Sequence, residues 1–425
     1  MQRQSLSTLD PDRKAALIER DAGIDAVRDD VREIIDRVRT DGDAALRSFS
    51  AEFDDVTIED FDITAHAAAA VDRLDATMLE AIHTAAENIR AFHERQRPTD
   101  WRETFDEREL GRRFRPIERV GVYAPGGTAA YPSSALMGII PATVAGVEEI
   151  VAVTPPAEEI NPVTLAAIDI AGADTVYQIG GAQAIAALAY GTESIRSVEK
   201  IVGPGNAWVT AAKTEVQGDV AIDFAAGPSE ILVIADETAD PAYVAADLVA
   251  QAEHDPHASV VAVTDDADTA SAIEAAVADQ IEDHDRTSII EEALSNDASG
   301  LFVADSMEAA ITFADAYAAE HLSIQAAEAD RIAASIANAG SVFLGPYTPV
   351  AAGDYASGTN HILPTNGRAR VVGGLSVDTF MRSTTIQRLD RAALESIGEA
   401  ITTLARAEGL DAHAASVERR LAEDD

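Results

Sequence analysis

The sequence predicts an α/β protein with two doubly wound parallel sheets, a helical N-terminal region and a small helical C-terminal domain. From Val120 onward, short runs rich in β-branched residues alternate with alanine-rich stretches of helical periodicity. This alternation is typical of βαβ units and a parallel sheet. The runs fall into two series that meet near Ala226-Gly-Pro-Ser-Glu230, and glycine-rich turns follow several runs of the first series.

The first 110 residues show helical patterns. Asp10-Pro-Asp places acids in the first turn of one helix, apolar residues from Val27 to Val38 recur at helical spacing, and Leu79–Arg95 forms a third pattern. We therefore expect mostly helix before the first sheet. Helical spacing returns after Pro364, so we also expect helix at the C-terminal end.

Short apolar runs are predicted as strands. The first series contains Val120–Tyr123, Ile150–Thr154, Thr175–Ile179, Lys200–Val202 and Val220–Ile222. The second series contains Ile231–Ala235, Ser259–Thr264, Leu301–Ala304 and Ser341–Leu344. Because helical patterns separate the runs within each series, we expect each series to form a sheet of its own.

Composition narrows the function classes. The chain of 425 residues contains no cysteine, which excludes disulfides, cysteine-based zinc sites and a thiolate nucleophile. The net charge of −42 argues against nonspecific binding to nucleic acid or to anionic membranes. It indicates a protein from a salt-accumulating, halophilic cytoplasm; the alternative is an ordinary acidic protein, for which −42 is high at this length. We find no apolar run long enough to span a membrane and no secretory signal, so we expect a cytoplasmic protein.

Three glycine-rich turns follow strands of the first series: Tyr123-Ala-Pro-Gly-Gly-Thr128, Gly180-Gly-Ala-Gln183 and Gly203-Pro-Gly-Asn206. None matches the G-x-G-x-x-G fingerprint, and each alone is also explained by ordinary turn chemistry. All three are expected at the carboxyl ends of strands in one sheet, where α/β folds bind ligands. Their coincidence favours a bound nucleotide.

The stretch Gly345–Thr365 follows a predicted strand and is rich in proline and glycine. It is too irregular to be predicted as helix or strand, so it is either a glycine-rich surface loop or an ordered site loop. Asp354 and His361 lie within it, and these are metal-ligand and proton-transfer residue types. From the stretch alone, the two interpretations are about equally supported.

Three further pairs carry chemistry. Gln251 and His254 share one helix face and have metal-ligand atoms, although such a pair is common by chance. The adjacent Glu320 and His321 form either a proton-transfer pair or an exposed acid beside a packed histidine. The stretch Glu408-Gly-Leu-Asp-Ala-His413 breaks a helix at its glycine and is either a tail that reaches a partner or a frayed end. Ser229 precedes a strand and is also explained as a capping serine.

Taken together, these stretches resemble the histidinol dehydrogenase family through nearly the whole chain. The densest matches are Arg119-Val-Gly-Val-Tyr-Ala-Pro-Gly-Gly, Lys200-Ile-Val-Gly-Pro-Gly-Asn-Ala, Ala226-Gly-Pro-Ser-Glu, Gln251-Ala-Glu-His, Glu320-His321, Gly353-Asp-Tyr-Ala-Ser-Gly-Thr-Asn-His and Glu408-Gly-Leu-Asp-Ala-His413. Several such blocks in the right order are highly specific.

The resemblance implies a homodimer with shared active sites and two Rossmann-like domains. It implies an N-terminal helical arm over residues 1–22, one Rossmann-like domain over 23–122 and 230–372 that bears most of the zinc site, and another over 123–229 that binds NAD. A small helical domain over 373–425 crosses to the partner subunit. The implied partners are a small-molecule substrate and a second copy of the chain, with no nucleic acid or membrane.

The resemblance also implies the site residues. Its catalytic pair is Glu320 and His321. One Zn²⁺ per active site is implied on Gln251, His254, Asp354 and, from the other subunit, His413. NAD contacts are implied at Tyr123, Gln183 and Asn206. Substrate contacts are implied at Ser229, Gln251, His254, His321, Asp354, His361, Glu408 and His413.

The reaction implied is the NAD-linked oxidation of L-histidinol to L-histidine through L-histidinal, the last step of histidine biosynthesis. In this scheme His321 takes a proton in each oxidation and Glu320 activates the water that hydrates the aldehyde.

Three rival functions remain open from the sequence. A zinc-dependent dehydrogenase of another small polar alcohol on the same scaffold would lack the imidazole-specific contacts, whereas Glu408 and His413 are both present. A zinc hydrolase without nucleotide would not need the glycine turns. A non-catalytic zinc assembly protein would not need adjacent Glu320 and His321.

Overall fold

A computed structural model of the chain describes residues 1–20, 23–126, 130–281 and 284–422. The strands are β1 (Arg3–Ser5), β2 (Trp101–Phe105), β3 (Arg108–Pro116), β4 (Arg119–Tyr123), β5 (Glu149–Thr154), β6 (Thr175–Gln178), β7 (Lys200–Val202), β8 (Ala221–Ile222), β9 (Glu230–Ala235), β10 (Ser259–Thr264), β11 (Gly300–Val303), β12 (His321–Gln325), β13 (Ser341–Leu344) and β14 (Met381–Arg388).

The helices follow in chain order and separate most of the parallel strands. They are α1 (Pro11–Ile18), α2 (Arg28–Asp41), α3 (Asp43–Phe53), α4 (Thr64–Ala70), α5 (Ala76–Glu94), α6 (Pro132–Ala145), α7 (Pro162–Ala171), α8 (Gly181–Tyr190), α9 (Ala207–Val216), α10 (Pro241–Ala252), α11 (Ala267–Ile281), α12 (Thr287–Ser295), α13 (Met307–Tyr317), α14 (Ala329–Ala334), α15 (Val350–Tyr355), α16 (Arg391–Ala407) and α17 (Asp411–Leu421).

The chain divides into two compact units. The first comprises Met1–Gln96 and Ile117–Phe380 and contains both parallel sheets. The second comprises Arg97–Pro116 and Met381–Asp425, in which the antiparallel sheet β14-β3-β2 accompanies α16 packed against α17. No helix in the described part of the chain is both long and apolar enough to cross a membrane.

The five-stranded sheet of the first unit has the order β6-β5-β4-β7-β8, and all its strands are parallel. Counted along the chain this is the order 3-2-1-4-5 of dinucleotide-binding sheets. Helices cover both faces, so the central strands are apolar throughout, as Val120, Val122 and Val151 illustrate with no exposed surface. The strand order changes direction between β4 and β7, which opens a crevice at their carboxyl ends.

The six-stranded sheet has the order β1-β11-β10-β9-β12-β13 and is also parallel. Without β1 it repeats the order 3-2-1-4-5, with the change of direction between β9 and β12. The N-terminal strand β1 extends its edge beside β11, which ties the start of the chain to this sheet. The first unit is therefore built on two sheets of one topology, and the predicted α/β fold class is confirmed.

The N-terminal helices do not all lie with the same sheet. Helices α2 and α3 pack with α8 and α9 on the five-stranded sheet, and Val31, Leu46 and Phe49 belong to the same buried core as Val151. Helix α1 instead packs on α13, and its buried Leu17 joins the core of the six-stranded sheet. The domain limits expected from the sequence stay a prediction.

The predicted strands are confirmed to within a residue or two, and both series form separate parallel sheets. The prediction of mostly helix before residue 110 and of helix after Pro364 is confirmed by α1–α5, α16 and α17, although the unpredicted strands β1, β2, β3 and β14 also lie in these regions. Two further features differ from the prediction. The irregular stretch Gly345–Thr365 contains α15, a short helix that begins after Pro349. Strand β12, which begins at His321, was absent from the predicted set.

The unpredicted polar strands and α15 share a cause. Strands β2, β3 and β14 are mostly polar and largely exposed, because an antiparallel sheet can face water and its strands are stabilised by pairing with one another. Six-residue α15 is too short to show a helical period. The polar strands and α15 therefore both depend on contacts with distant parts of the chain.

Candidate active site

The residues singled out in the first sheet lie at its carboxyl edge. Tyr123 ends β4, and its hydroxyl accepts a hydrogen bond of 3.1 Å from the backbone N–H of Gly181 at the start of α8. Gln183 lies buried in the first turn of that helix. Asn206 caps α9, and its side-chain oxygen accepts from the backbone N–H groups of Trp208 and Val209. Two helix N-termini therefore face the crevice beside β4, which suits an anionic group.

The turn after β7 is held against the end of β4. Gly203 has a φ of +114°, and a Cβ placed on it would lie 2.3 Å from the backbone oxygen of Tyr123. Its N–H donates to Asp223 over 2.9 Å, while its carbonyl accepts from the ammonium of Lys213, also over 2.9 Å. Lys213 and Asp223 form a buried ion pair. Only glycine fits this position, which explains one residue of the predicted glycine turn.

The first glycine turn, Tyr123–Thr128, is described only through Gly126, and Gly127 and Thr128 lie outside the described residues. The other two turns follow β6 and β7, so all three follow strands of one sheet, as predicted.

The acidic and histidine residues of the second sheet lie at its amino edge. Glu320 directly precedes β12 and His321 opens it, and their exposed fractions are only 6% and 4%. Both contact the backbone of Glu230, the first residue of the neighbouring β9. The N–H of Glu230 donates to Oε2 of Glu320 over 2.8 Å, and the carbonyl oxygen of Glu230 lies 3.0 Å from Nδ1 of His321.

This arrangement selects one form of the His321 ring. A carbonyl oxygen only accepts, so Nδ1 bears the hydrogen and Nε2 has the free lone pair in the neutral ring. Nε2 is buried without a hydrogen-bond partner and lies 3.4 Å from Oδ1 of Asp354. Burial lowers the pKa of His321, but the charges of Glu320 and Asp354 outweigh it and raise that pKa well above its ordinary value in the isolated chain. A cation beside Asp354 would oppose these two charges and favour the neutral ring, the form in which Nε2 accepts a proton.

The residues predicted as metal ligands in the first unit come from two helix ends. Gln251 lies in the last turn of α10 with its amide nitrogen buried and unpaired, and His254 follows the helix. Asp354 lies on α15. Asp247, one turn before Gln251, accepts a hydrogen bond of 3.3 Å from the N–H of Val350 and so connects the two helices.

A cation fits the chemistry of this group. Burial raises the pKa of Asp354, but the nearby His321, His361 and His254 outweigh it, so the pKa lies below its ordinary value. Asp354 is therefore a carboxylate near neutral pH. Across the described ranges, no three His, Cys, Asp or Glu side chains gather closely enough to hold a metal. Gln251 falls outside those residue types, and its amide oxygen is a further possible ligand beside His254 and Asp354.

His361 has both ring nitrogens engaged within the protein. Nδ1 lies 3.0 Å from the backbone oxygen of Asp354, and Nε2 lies 3.0 Å from the hydroxyl of Ser134 on α6. The carbonyl accepts, so Nδ1 bears the hydrogen and Nε2 accepts from Ser134. Burial lowers the pKa of His361, which keeps this ring neutral. Ser229 lies half-buried directly before β9.

Glu408 and His413 belong to the second unit. Glu408 follows α16, Gly409 has a φ of +75° that ends the helix, and His413 lies in the first turn of α17. The predicted helix break at this glycine is confirmed. Both side chains are exposed on the chain.

The sequence analysis missed three residues that shape the second site. Glu230 lies within a motif that was noted but was assigned no role, although its backbone contacts Glu320 and His321. Ser134 contacts His361 across 227 positions of sequence, and Asp247 contacts Val350 across 103. Of these three residues, Asp247 could have been noticed from the sequence around it, because it is the one charged residue of the otherwise mostly apolar helix α10.

Two sheets with the strand order of dinucleotide-binding proteins, together with a buried Glu–His pair, define an α/β oxidoreductase. The model of the histidinol dehydrogenase family matches residues 18–421. The chain belongs to that family, and its function is the oxidation of histidinol in histidine biosynthesis.

Curated histidinol dehydrogenases from Halobacterium salinarum and Haloarcula marismortui are each 64% identical to the chain, over 100% and 98% of its length and 100% and 99% of theirs. The crystal structure of histidinol dehydrogenase from Elizabethkingia anophelis superposes with a TM-score of 0.93 at 39% identity, covering 99% of this chain and 98% of that one. The sequence resemblance is thereby confirmed, and similarity to relatives from halophiles accompanies the net charge of −42.

Proposed function

We propose that the protein catalyses the zinc-dependent, NAD-linked, four-electron oxidation of L-histidinol to L-histidine through L-histidinal. The observation that supports this most is the buried Glu320–His321 pair, with Nε2 of His321 unpaired beside Asp354. An acid–base pair in that form provides the proton transfers of an alcohol oxidation followed by an aldehyde oxidation.

In the first oxidation, Nε2 of His321 takes the proton of the hydroxyl while a hydride leaves the carbon that bears this hydroxyl, which yields the aldehyde. Water then adds to the aldehyde: Glu320 takes a proton from the water and His321 returns its proton to the carbonyl oxygen, which yields the hydrate. In the second oxidation, His321 takes a proton from one hydroxyl of the hydrate as the second hydride leaves, which yields the carboxylic acid and, on loss of its proton, the carboxylate. No cysteine is present to form a thiohemiacetal, so a hydrate is the natural intermediate.

The cofactors are assigned to opposite edges of the two sheets. NAD, when bound, accepts the hydrides, and Tyr123, Gln183 and Asn206 hold it at the helix N-termini beside β4. Gln251, His254 and Asp354, together with His413 of the partner subunit, would hold Zn²⁺, which would orient the nitrogen atoms of the substrate. Ser229, His361 and Glu408 complete the substrate pocket.

A shared site is supported by the exposure of Glu408 and His413 on the isolated chain. Gln251, His254 and Asp354 provide three ligands, and a tetrahedral set made of protein ligands alone needs a fourth. In a homodimer, His413 of the partner subunit would provide it. Mixing His254→Ala and His413→Ala proteins and re-forming dimers should restore activity, because one of the two sites in a heterodimer is intact. Verified heterodimers without activity would mean that each chain completes its own site.

Counting NADH per substrate tests the proposed reaction. Purified protein with limiting histidinol, excess NAD and zinc should produce two NADH for each histidinol consumed. One NADH per histidinol would reject the four-electron reaction. Faster turnover of a small polar alcohol without an imidazole would instead favour a zinc-dependent dehydrogenase of another substrate.

A further inference from the structure

A buried ion pair lies directly behind the Glu320–His321 pair. Arg20, which follows α1, donates from Nε and Nη2 to the two carboxylate oxygens of Glu230 over 2.7 and 2.8 Å. The exposed fractions of the two side chains are 5% and 1%. A bidentate guanidinium–carboxylate pair has a rigid geometry, unlike an ordinary point-charge contact.

Arg20 also holds the segment that leads into Glu320. Its Nη2 donates to the backbone oxygen of Tyr317 over 3.1 Å, and its guanidinium lies 3.7 Å from the centre of the Tyr317 ring. The following residue, Ala318, has a φ of +53°, so the chain turns sharply there before β12. The hydroxyl of Tyr317 is fixed in turn by Ser259, at 2.6 Å.

The backbone of Glu230 contacts both members of the pair. Its N–H holds the carboxylate of Glu320, and its carbonyl oxygen sets the hydrogen of His321 on Nδ1. Arg20 thus binds both Glu230, the residue of β9 whose backbone contacts Glu320 and His321, and Tyr317, just before the turn that leads to them. The N–H of Asn366 also donates to Oε1 of Glu230 over 2.7 Å, so this oxygen accepts from both Asn366 and Nε of Arg20.

We propose that the Arg20–Glu230 pair positions the catalytic residues, so that the N-terminal segment sets the geometry of Glu320 and His321 without touching the substrate. This inference rests on the proposed roles of that pair. The cost of burying two charges supports it, since a buried pair adds little stability compared with apolar residues of similar size.

The test is the variant with both Arg20→Met and Glu230→Gln, which removes the two charges together and leaves no unpaired buried ion. A small displacement of acid–base groups costs up to about 100-fold in rate. We therefore expect kcat to fall about 10- to 100-fold. The KM values for histidinol and NAD and the zinc content should change by less than about threefold. Both half-reactions should slow, because Glu230 contacts Glu320 and His321 alike.

Leu6→Ala is the matched control. Leu6 lies in the same N-terminal segment and is buried in the core of the six-stranded sheet, and its apolar side chain takes no part in the hydrogen bonds between Arg20 and Glu230. Its replacement weakens the packing of the segment, so a general loss of stability would affect both proteins, whereas only the double variant should lose kcat at temperatures where both are folded. Arg20→Lys, which keeps the charge but loses the fork, replaces the double variant if that protein does not fold.

Turnover equal to that of Leu6→Ala, or a rise in KM without a fall in kcat, would overturn the positioning role. His321→Asn is assayed alongside to separate two kinds of failure. If His321→Asn is nearly inactive while the double variant is normal, only the role of Arg20 and Glu230 is wrong. If His321→Asn itself turns over normally, the proposed catalytic pair is wrong.

Discussion

The two parallel sheets have the same strand order but present their notable residues at opposite edges. In the five-stranded sheet, Tyr123 and the glycine turns lie at the carboxyl ends of the strands, where α8 and α9 begin. In the six-stranded sheet, Glu320 and His321 lie at the amino ends, near the end of α10. Helix N-termini attract anions and helix C-termini attract cations. Two sheets of the same topology therefore offer edges of different electrostatic character, because helices begin at one of these edges and end at the other.

Asp354 at the amino edge and Asp54 near the carboxyl edge have pKa values shifted in opposite directions. At the amino edge, Asp354 faces histidines, which lower its pKa. Near Tyr123 at the carboxyl edge, Asp54 has an oxygen that is buried without a hydrogen-bond partner, and burial raises its pKa to about 6. Because the pKa of Asp54 is raised in the folded chain, its ionised form costs the native protein stability.

The largest effect is expected at the amino edge. His321→Asn should slow both oxidations by roughly 10²–10⁴-fold, the usual cost of removing a positioned acid–base group. Glu320→Gln should slow oxidation of supplied histidinal far more than the first turnover of histidinol, because only the second step consumes water. NAD affinity should stay unchanged in both variants. If Glu320→Gln slowed the two half-reactions by the same factor, Glu320 would only orient His321 and would not activate water.

Zinc retention gives the next effect. His254→Ala and Asp354→Ala should each lose zinc during dialysis, with affinity reduced by at least about tenfold, because each removes one ligand from a four-ligand site. Asn206→Ala, at the carboxyl edge, is the control and should retain zinc. Metal analysis of the dialysed proteins measures the zinc content. Full zinc occupancy in both ligand variants would contradict the proposed zinc site at the amino edge.

The third prediction concerns NAD. Gly203→Ala should weaken NAD binding about tenfold, or about 1.4 kcal/mol, since the new Cβ displaces the turn against the oxygen of Tyr123. Gly146→Ala is a matched control, because Gly146 also has a positive φ but no atom within 4 Å of a Cβ. Titration of NAD by fluorescence should separate them. Similar NAD affinity in the two variants would mean that the turn after β7 does not contact the cofactor.

The smallest effect is one of stability. Asp54→Asn should raise the free energy of unfolding near pH 8 by about 1 kcal/mol, allowing for partial exposure. Because burial raises the folded-state pKa to about 6, ionisation of Asp54 destabilises the native protein as pH rises from about 4 to about 6. The gain should therefore vanish below about pH 4. Urea unfolding at both pH values measures it, with the exposed neighbour in Asp55→Asn as control, and a gain independent of pH would contradict the cause given.

The sequence by itself determined the features that depend on local spacing. Alternating β-rich and alanine-rich runs specified parallel sheets, because strands covered on both faces must be apolar along their whole length. Gly203 and Gly409 were predictable as turns, since positive φ favours glycine whatever lies nearby. Each residue of the family motifs could likewise be identified from the sequence around it.

Only the tertiary structure decided that Glu320 and His321 lie at the amino edge of their sheet, and which residues contact them. The contact of Arg20 with Glu230 spans 210 positions, and that of Glu230 with Glu320 spans 90. Neither leaves a local pattern, because a buried charge is recognisable only when its partner is known. The short α15 and the polar strand β14 escaped prediction for the same reason: their stability comes from what they pack against, and no periodicity within a few residues encodes that.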